Sequence, residues 1–178
     1  MSVLIQGVVE AEAGFVIHTV NPFTLDPDEI YAEAVLGLGE TLAGSYPGLS
    51  LGFTFRKEAR RARIRSIPSK SAGLFGQKGG LIFRSDSNGE DLAGYAGAGL
   101  YDSFILPPPN RATLDYTGSR FVWDEEFLMD FTHKVARIGL EVEKAMGGAQ
   151  DIEGAFVDTG AHGTGARFYV VQARPEVL

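Results

Sequence analysis

The C-terminal part of the chain contains two strand-like segments separated by a glycine-rich stretch. Residues 151–158 read DIEGAFVD, and residues 166–178 read ARFYVVQARPEVL. The sequence between them, DTGAHGTGA, is too rich in glycine to be anything but a loop. Two strands joined in this way most simply form an antiparallel hairpin, which the pattern therefore predicts.

The polar residues of these two strands are predicted to fall on one face. Side chains alternate across a strand, so Asp151 and Glu153 point away from the apolar residues between and beyond them. If the loop is centred near positions 162 and 163, Glu153 lies opposite Gln172. In the same register Asp151 lies opposite Arg174, and all four side chains share one face at the open end of the hairpin.

These four residues, called the quartet below, have the chemistry of a magnesium–polyphosphate site. A carboxylate and an amide oxygen, from Glu153 and Gln172, suit Mg²⁺, which keeps several waters and takes phosphate oxygens from a nucleotide. Arg174 suits a phosphate, with Asp151 orienting its guanidinium. A surface Asp–Arg pair beside an unrelated Glu and Gln would have the same spacing, so spacing alone leaves both interpretations open.

The rest of the chain predicts an α+β fold with a mixed or antiparallel sheet and one long helix. The strand candidates are SVLIQGVV, GFVIHTV, LSLGFTF, ARIRSI and GLIFRS, the last interpreted as a short buried strand. The segment GLGETLAG is interpreted as a tight loop. The arginines of ARIRSI and the residue before it, Arg61, Arg63 and Arg65, favour a solvated edge strand, with an anion or glucan contact as the alternative.

The helix is predicted over DEEFLMDFTHKVARIGLEVEKAMGG, with Asp124 as the N-cap. Gly147 and Gly148 end it. Its apolar residues recur at helical spacing and predict a core stripe: Phe127, Phe131, Val135, Ile138, Val142 and Ala145. His133 lies off this stripe and is expected to be solvated, whereas His18 is expected at the edge of the core.

Composition narrows the class of protein. With 178 residues, 44% of them hydrophobic, the chain is long enough for a single domain with a proper core. The net charge of −7 argues against a nucleic-acid binder. No apolar run approaches the roughly 20 residues that span a bilayer, so no membrane segment is expected. The N-terminus resembles neither a signal nor a transit peptide and enters a strand pattern at once, which suggests a fragment.

Several motifs resemble one enzyme family. DIEG followed by YVVQARP resembles the closing signature of the ATP-grasp nucleotide-binding domain in dikinases, a family that includes pyruvate phosphate dikinase, phosphoenolpyruvate synthase and the glucan water dikinases. FRSDSNGEDLAGYAGAGLYDS, residues 83–103, closely resembles the plant and algal alpha-glucan water dikinases. FVIHTVNP, EIYAEAVLGLGETLAGSYPG and PSKSAGLF stand in the same order as in that family.

The resemblance implies that residues 1–178 are an ATP-grasp C-terminal lobe that binds ATP and Mg²⁺. Glu153 and Gln172 match the family's metal–ATP ligands, and Asp151 and Arg174 match neighbouring nucleotide-site residues. Two further residues are carried over as ATP-site candidates. Glu40 lies where the family has an acidic residue near the nucleotide. Arg84 lies in a stretch similar to the phosphate-contacting RSS segment of phosphoenolpyruvate synthases, which falls earlier in those chains.

The implied reaction is that of a kinase. The family transfers the β-phosphate of ATP to an enzyme histidine and then to alpha-glucan, while the γ-phosphate goes to water. The phosphohistidine domain, the glucan-binding modules and the second ATP-grasp lobe have no counterpart in this sequence, so little or no catalysis is expected from the chain alone. The resemblance also implies a plastid location.

Two alternatives to this hypothesis remain, and one segment of the chain has two interpretations. The chain resembles, less closely, a phosphoenolpyruvate synthase or pyruvate phosphate dikinase domain, and a non-catalytic binding module that kept the fold is a further alternative. The glycine-rich segment 89–99 either approaches phosphates through its backbone or forms a tightly packed turn. Nothing in the sequence indicates an oligomeric state.

Overall fold

The computed structural model describes residues 2–44, 46–86, 91–92, 95–96, 103–158, 160 and 165–176. Its principal element is a six-stranded antiparallel sheet in the order β13-β12-β2-β3-β4-β5. The strands of this sheet are β2 (Ala13–His18), β3 (Glu29–Leu36), β4 (Leu51–Arg56), β5 (Arg61–Ser66), β12 (Gln150–Asp158) and β13 (Ala166–Pro175).

Smaller elements surround this sheet. A three-stranded sheet in the order β1-β7-β10 contains β1 (Ser2–Gly7), β7 (Leu81–Asp86) and β10 (Phe104–Leu106). Two strand pairs join β6 (Ala72–Phe75) with β11 (Asn110–Thr113) and β8 (Asp91–Leu92) with β9 (Tyr95–Ala96). The helices are α1 (Glu40–Ala43), α2 (Arg120–Trp123) and α3 (Glu125–Met146).

Helix α3 packs against one face of the six-stranded sheet and forms the core with it. Phe131 of α3 lies in edge-on contact with Phe15 and Phe156, at ring-centroid distances of 6.5 and 5.4 Å. Gly139 leaves room for Ile17, because a Cβ built on it would lie 2.9 Å from that side chain. The apolar face of β2 and β12 therefore lies against the helix, and their alternate residues point to the opposite face.

The structure confirms the main sequence predictions for the helix. The Asp124 side chain accepts a hydrogen bond from the Phe127 backbone N–H at 2.9 Å, as an N-cap does. Gly147 ends the helix in the left-handed conformation, with φ of 79°. Of the predicted stripe, Phe131 and Val135 are buried, whereas Ala145 is exposed because the last turn of α3 extends past the edge of the core.

Two expectations from the sequence need correction. The segment GLGETLAG contains the short helix α1 rather than only a tight loop. GLIFRS forms β7, but Leu81 is 42% exposed, so this strand is not buried. The two N-terminal strands, for which the sequence predicted no pairing, belong to different sheets, since β1 pairs with β7 and β2 pairs with β12 and β3. β5 does lie at the edge of its sheet, as its arginines predict.

Candidate nucleotide site

The predicted hairpin is present, and its register brings the quartet together. β12 and β13 pair antiparallel, with Glu153 opposite Gln172 and Asp151 opposite Arg174. Directly opposed residues of an antiparallel pair point to the same side. The quartet therefore lies on the face of the sheet opposite α3, which we call the polar face.

A β-bulge produces this arrangement. Gly154 pairs with Val170 whereas Glu153 pairs with Gln172, so Val171 has no partner across the pair. If the pairing continued from Gly154 and Val170 without a bulge, Glu153 would lie opposite Val171, and Gln172 would point toward α3. The bulge therefore brings the amide of Gln172 and the guanidinium of Arg174 to the polar face.

Asp151 and Arg174 form a short ion pair. The Nε and Nη2 groups of Arg174 donate to the same carboxylate oxygen of Asp151, at 2.9 and 2.6 Å. Both side chains are largely buried, which strengthens a charge-assisted pair relative to one in open solvent. The pair fixes the direction of the guanidinium, as the sequence interpretation required.

Arg84 of the three-stranded sheet reaches the quartet. Its Nη2 lies 3.2 Å from Oε2 of Glu153. Gln6 of the same sheet donates from Nε2 to the carbonyl oxygen of Val171, at the bulge. The small sheet thus lies against the hairpin, and it brings together two candidates, Arg84 and Glu153, that are 69 residues apart in sequence.

His18 and Glu176 are site neighbours that sequence reasoning did not select as functional. His18 lies opposite Asp151 on β2, and its Nδ1 is 2.9 Å from Oε1 of Glu176. The other carboxylate oxygen of Glu176 accepts a hydrogen bond from the Val20 backbone N–H at 3.3 Å. Glu176 therefore joins the end of β13 to β2 across β12. No local pattern signals this contact, because it spans 158 residues.

The surroundings of His18 favour its charged form. Burial lowers the pKa of His18, but the hydrogen bond to Glu176 and the negative charges of Asp151, Glu176 and Glu33 outweigh burial and raise the pKa above its usual value. The polar face is therefore a strongly charged surface, with the guanidinium of Arg174 and the imidazole of His18 beside carboxylates.

A second polar cluster continues across the same face. Tyr31, opposite His18, donates from its hydroxyl to Oε1 of Glu33 at 2.8 Å, and the Ser50 hydroxyl donates to the same oxygen at 2.9 Å. Burial and the hydrogen bond to the Glu33 carboxylate raise the pKa of Tyr31. The alternation of EIYAEAVL could have indicated that Tyr31 and Glu33 share a face, but not that this face is the one carrying the quartet.

Glu40, the remaining candidate, is exposed at the start of α1. The preceding residue, Gly39, packs against Gly14, so closely that a Cβ on Gly14 would overlap its backbone nitrogen. Gly14 lies opposite Ala155, the next position after Glu153 on the polar face. Glu40 therefore flanks this face beyond the quartet, and among the described contacts none joins it to the four residues.

A separate cleft lies elsewhere on the chain. It has a volume of about 810 Å³ and is lined at the loop end of β12 by Arg120, Glu12 and Asp158, among others. Arg120 makes ion pairs with Glu12 at 3.1 Å and Asp158 at 3.0 Å. None of the quartet lines this cleft, so the cleft is distinct from the candidate site.

Some sequence predictions fall on residues that the structure does not describe, and others concern metal-binding groups and membrane-spanning helices. His162 and most of the glycine-rich segment 89–99 are not described. In the described part of the chain, no three or more His, Cys, Asp or Glu side chains converge as a metal-binding group. Within the same residues, no helix combines the length and apolar character needed to cross a membrane.

Comparison with known proteins identifies the family. No protein-family model matches the chain. The chain is 47% identical over 178 residues to the chloroplastic alpha-glucan water dikinase of Citrus reticulata, covering 99% of this chain and 12% of that protein. It is 49% identical, with the same coverage, to the chloroplastic alpha-glucan water dikinase 1 of Arabidopsis thaliana. The chain belongs to the alpha-glucan water dikinase family.

The chain spans about an eighth of the length of these dikinases. A more distant relative is a probable phosphoenolpyruvate synthase of Methanocaldococcus jannaschii, which is 26% identical over 176 residues, covering 98% of this chain and 12% of that protein. The alpha-glucan water dikinases are thus favoured over the alternative family named from the sequence motifs.

Proposed function

We propose that the chain is an ATP-grasp C-terminal lobe that forms the ATP-binding part of an alpha-glucan water dikinase. The observation that carries this proposal is the convergence of the quartet and Arg84 on one face, in a chain that belongs to the dikinase family. Such a set of two carboxylates, an amide and two guanidinium groups suits a nucleotide polyphosphate with its cation.

Each side chain has a role in this proposal. Glu153 and Gln172 supply the oxygens that would hold Mg²⁺, and this donor set fits an ion that keeps waters and borrows phosphate oxygens. Bound there, the ion would neutralise phosphate charge. Arg174, oriented by Asp151, binds a phosphate through its planar fork.

When the cation is bound, Arg84 either keeps its contact with the Glu153 carboxylate, which then also binds the cation, or leaves Glu153 and contacts a phosphate. In the structure its guanidinium occupies one oxygen of Glu153. A bound polyphosphate offers Arg84 a stronger anionic partner, which would release that oxygen. Glu40 is assigned to the margin of the nucleotide site, because it starts α1 beside the same face.

The reaction we propose for the whole protein follows from the family. ATP would donate its β-phosphate to a histidine outside this chain and then to alpha-glucan, and its γ-phosphate to water, in the plastid. A phosphoenolpyruvate synthase type of domain is the second candidate, and it is less well supported because identity to that relative is 26%. A non-catalytic module is disfavoured by the intact, ion-paired quartet.

The test is a titration of the isotopically labelled chain with ATP, with and without Mg²⁺, followed by backbone amide NMR shifts. This measurement detects the weak binding expected of one lobe. We expect Mg²⁺-dependent shifts concentrated in β12, β13 and β7, and their loss in Glu153→Gln. Glu141→Gln, which neutralises an exposed carboxylate on α3, is the matched control and should respond like the unmodified chain. Shifts confined to the cleft around Arg120 would refute the assignment.

A further inference from the structure

The three-stranded sheet exposes an apolar surface on the side away from the hairpin. By the pairing of β1 with β7 and of β10 with β7, five large, well-exposed apolar side chains share this surface, called the outer face, with the half-buried Phe83. The five are between 42% and 63% exposed: Val3, Ile5, Leu81, Phe104 and Leu106. Among the described side chains of this face none is charged.

The opposite face of the same sheet contacts the hairpin. Arg84 and Gln6 point to that side and contact Glu153 and Val171 of the hairpin. A small sheet is stable when its apolar face is packed against another layer. Here the side that contacts the hairpin carries Arg84 and Gln6 together with Leu4, which is 53% exposed, whereas the outer face carries five exposed apolar side chains.

Contiguous apolar surface of this kind marks a protein interface rather than a site for a polar ligand. Single exposed apolar residues occur on any surface, but here they occupy matching positions on all three strands of one sheet. The aliphatic and aromatic side chains offer no hydrogen bonds or charge. The surface that covers them must therefore be apolar too.

We propose that the outer face packs against an apolar surface from the part of the dikinase polypeptide outside the region matched by this chain. That region amounts to 12% of the Citrus reticulata and Arabidopsis thaliana proteins, so most of their polypeptide is available to cover it. Covalent linkage gives such a surface a high effective concentration. A second copy is less suited, because each copy carries a net charge of −7 and the two would repel.

The proposal of this interface depends on the chain belonging to the dikinase family and does not depend on nucleotide binding. The interface can therefore be tested without ATP. Hydrogen–deuterium exchange is measured on the isolated chain and on the full-length Citrus reticulata dikinase. We expect the peptides of β1 and β10 to exchange at least about tenfold more slowly in the full-length protein. Peptides around Ile67, which is exposed outside the small sheet, should exchange at similar rates in both.

A matched pair of substitutions separates docking from folding. Ile5 and Ile67 are 58% and 57% exposed, and both are changed to Thr, which keeps a β-branched side chain. In the isolated chain Ile5→Thr and Ile67→Thr should leave exchange unchanged. In the full-length dikinase, threonine at the position aligned with Ile5 should remove the added protection against hydrogen exchange. Threonine at the position aligned with Ile67 should not remove it.

Phe104→Thr, on a different strand of the outer face, repeats the test independently of β1. Light scattering of the isolated chain is expected to give a monomer. Equal exchange in the isolated and full-length proteins would overturn the proposal. So would a dimer of the isolated chain that Ile5→Thr dissociates, since the occupant would then be a second copy.

Discussion

Adding one methyl group at Gly154 is predicted to destabilise the chain through its core. A Cβ at this position would overlap two ring carbons of Phe15 and lie 2.7 Å from the carbonyl oxygen of Tyr169. Phe15 is fully buried and packs against Phe131 and Phe168, so its ring has little room to move. Gly154→Ala therefore forces the ring or the strand to shift.

Two effects of Gly154→Ala oppose each other. Replacing glycine by alanine stabilises a chain by about 0.4–1 kcal/mol where the backbone and space allow it, because the unfolded state loses freedom. Overpacking a core costs about 1–3 kcal/mol. The overlap with a fully buried ring favours the upper part of that range. We expect a net loss of about 2 kcal/mol, or a melting temperature lower by about 4–8 °C for a chain of this size.

The assay is thermal unfolding followed by circular dichroism, with Gly7→Ala as control. Gly7 also lies in a strand, and a Cβ built there meets nothing within 4 Å. Gly7→Ala should melt at the unmodified temperature or slightly above it. A melting temperature for Gly154→Ala equal to that of Gly7→Ala would refute the reasoning.

Three other predictions concern the site. His18 has a raised pKa in the folded chain, so its pairing with Glu176 stabilises the fold fully below about pH 6.5. This contribution is lost as the pH rises through the folded pKa. His18→Gln should thus reduce the free energy of unfolding more at pH 5.5 than at pH 8.5 in denaturant titrations, and an equal loss at both would contradict the pairing. Arg174→Lys should weaken Mg²⁺–ATP binding about tenfold in the NMR titration, because lysine cannot replace both donors to Asp151; near-unchanged affinity would reduce Arg174 to a structural role. The isolated chain should form no phosphohistidine with β-labelled ATP and Mg²⁺, and acid-labile, base-stable label on it would show that it is self-sufficient.

The sequence was informative where structure depends on neighbouring residues. The N-cap at Asp124, the end of α3 at Gly147 and the pairing of β12 with β13 all follow from local patterns. The alternation of DIEGAFVD was enough to put Asp151 and Glu153 on one face. These features need no knowledge of distant parts of the chain.

Long-range contacts escaped prediction. Arg84 reaches Glu153 because the small sheet packs on the hairpin, and nothing in either segment specifies that docking. The hydrogen bond between Glu176 and His18 forms because β2 lies beside β12. The bulge at Val171 was also missed, although Gly154 in a strand is the kind of signal that accompanies a bulge.

The strand order also has a consequence for how the chain is made. β2 lies between β3, which follows it closely in sequence, and β12, whose first residue donates its backbone N–H to the hydroxyl oxygen of Thr19 across 131 positions. As the chain leaves the ribosome, β2 to β5 can pair through short connections, but the free edge of β2 has to wait until β12 has been synthesised. Until then an apolar sheet edge is open to other nascent chains. The segments before β12 are therefore those for which a holding chaperone matters most during translation.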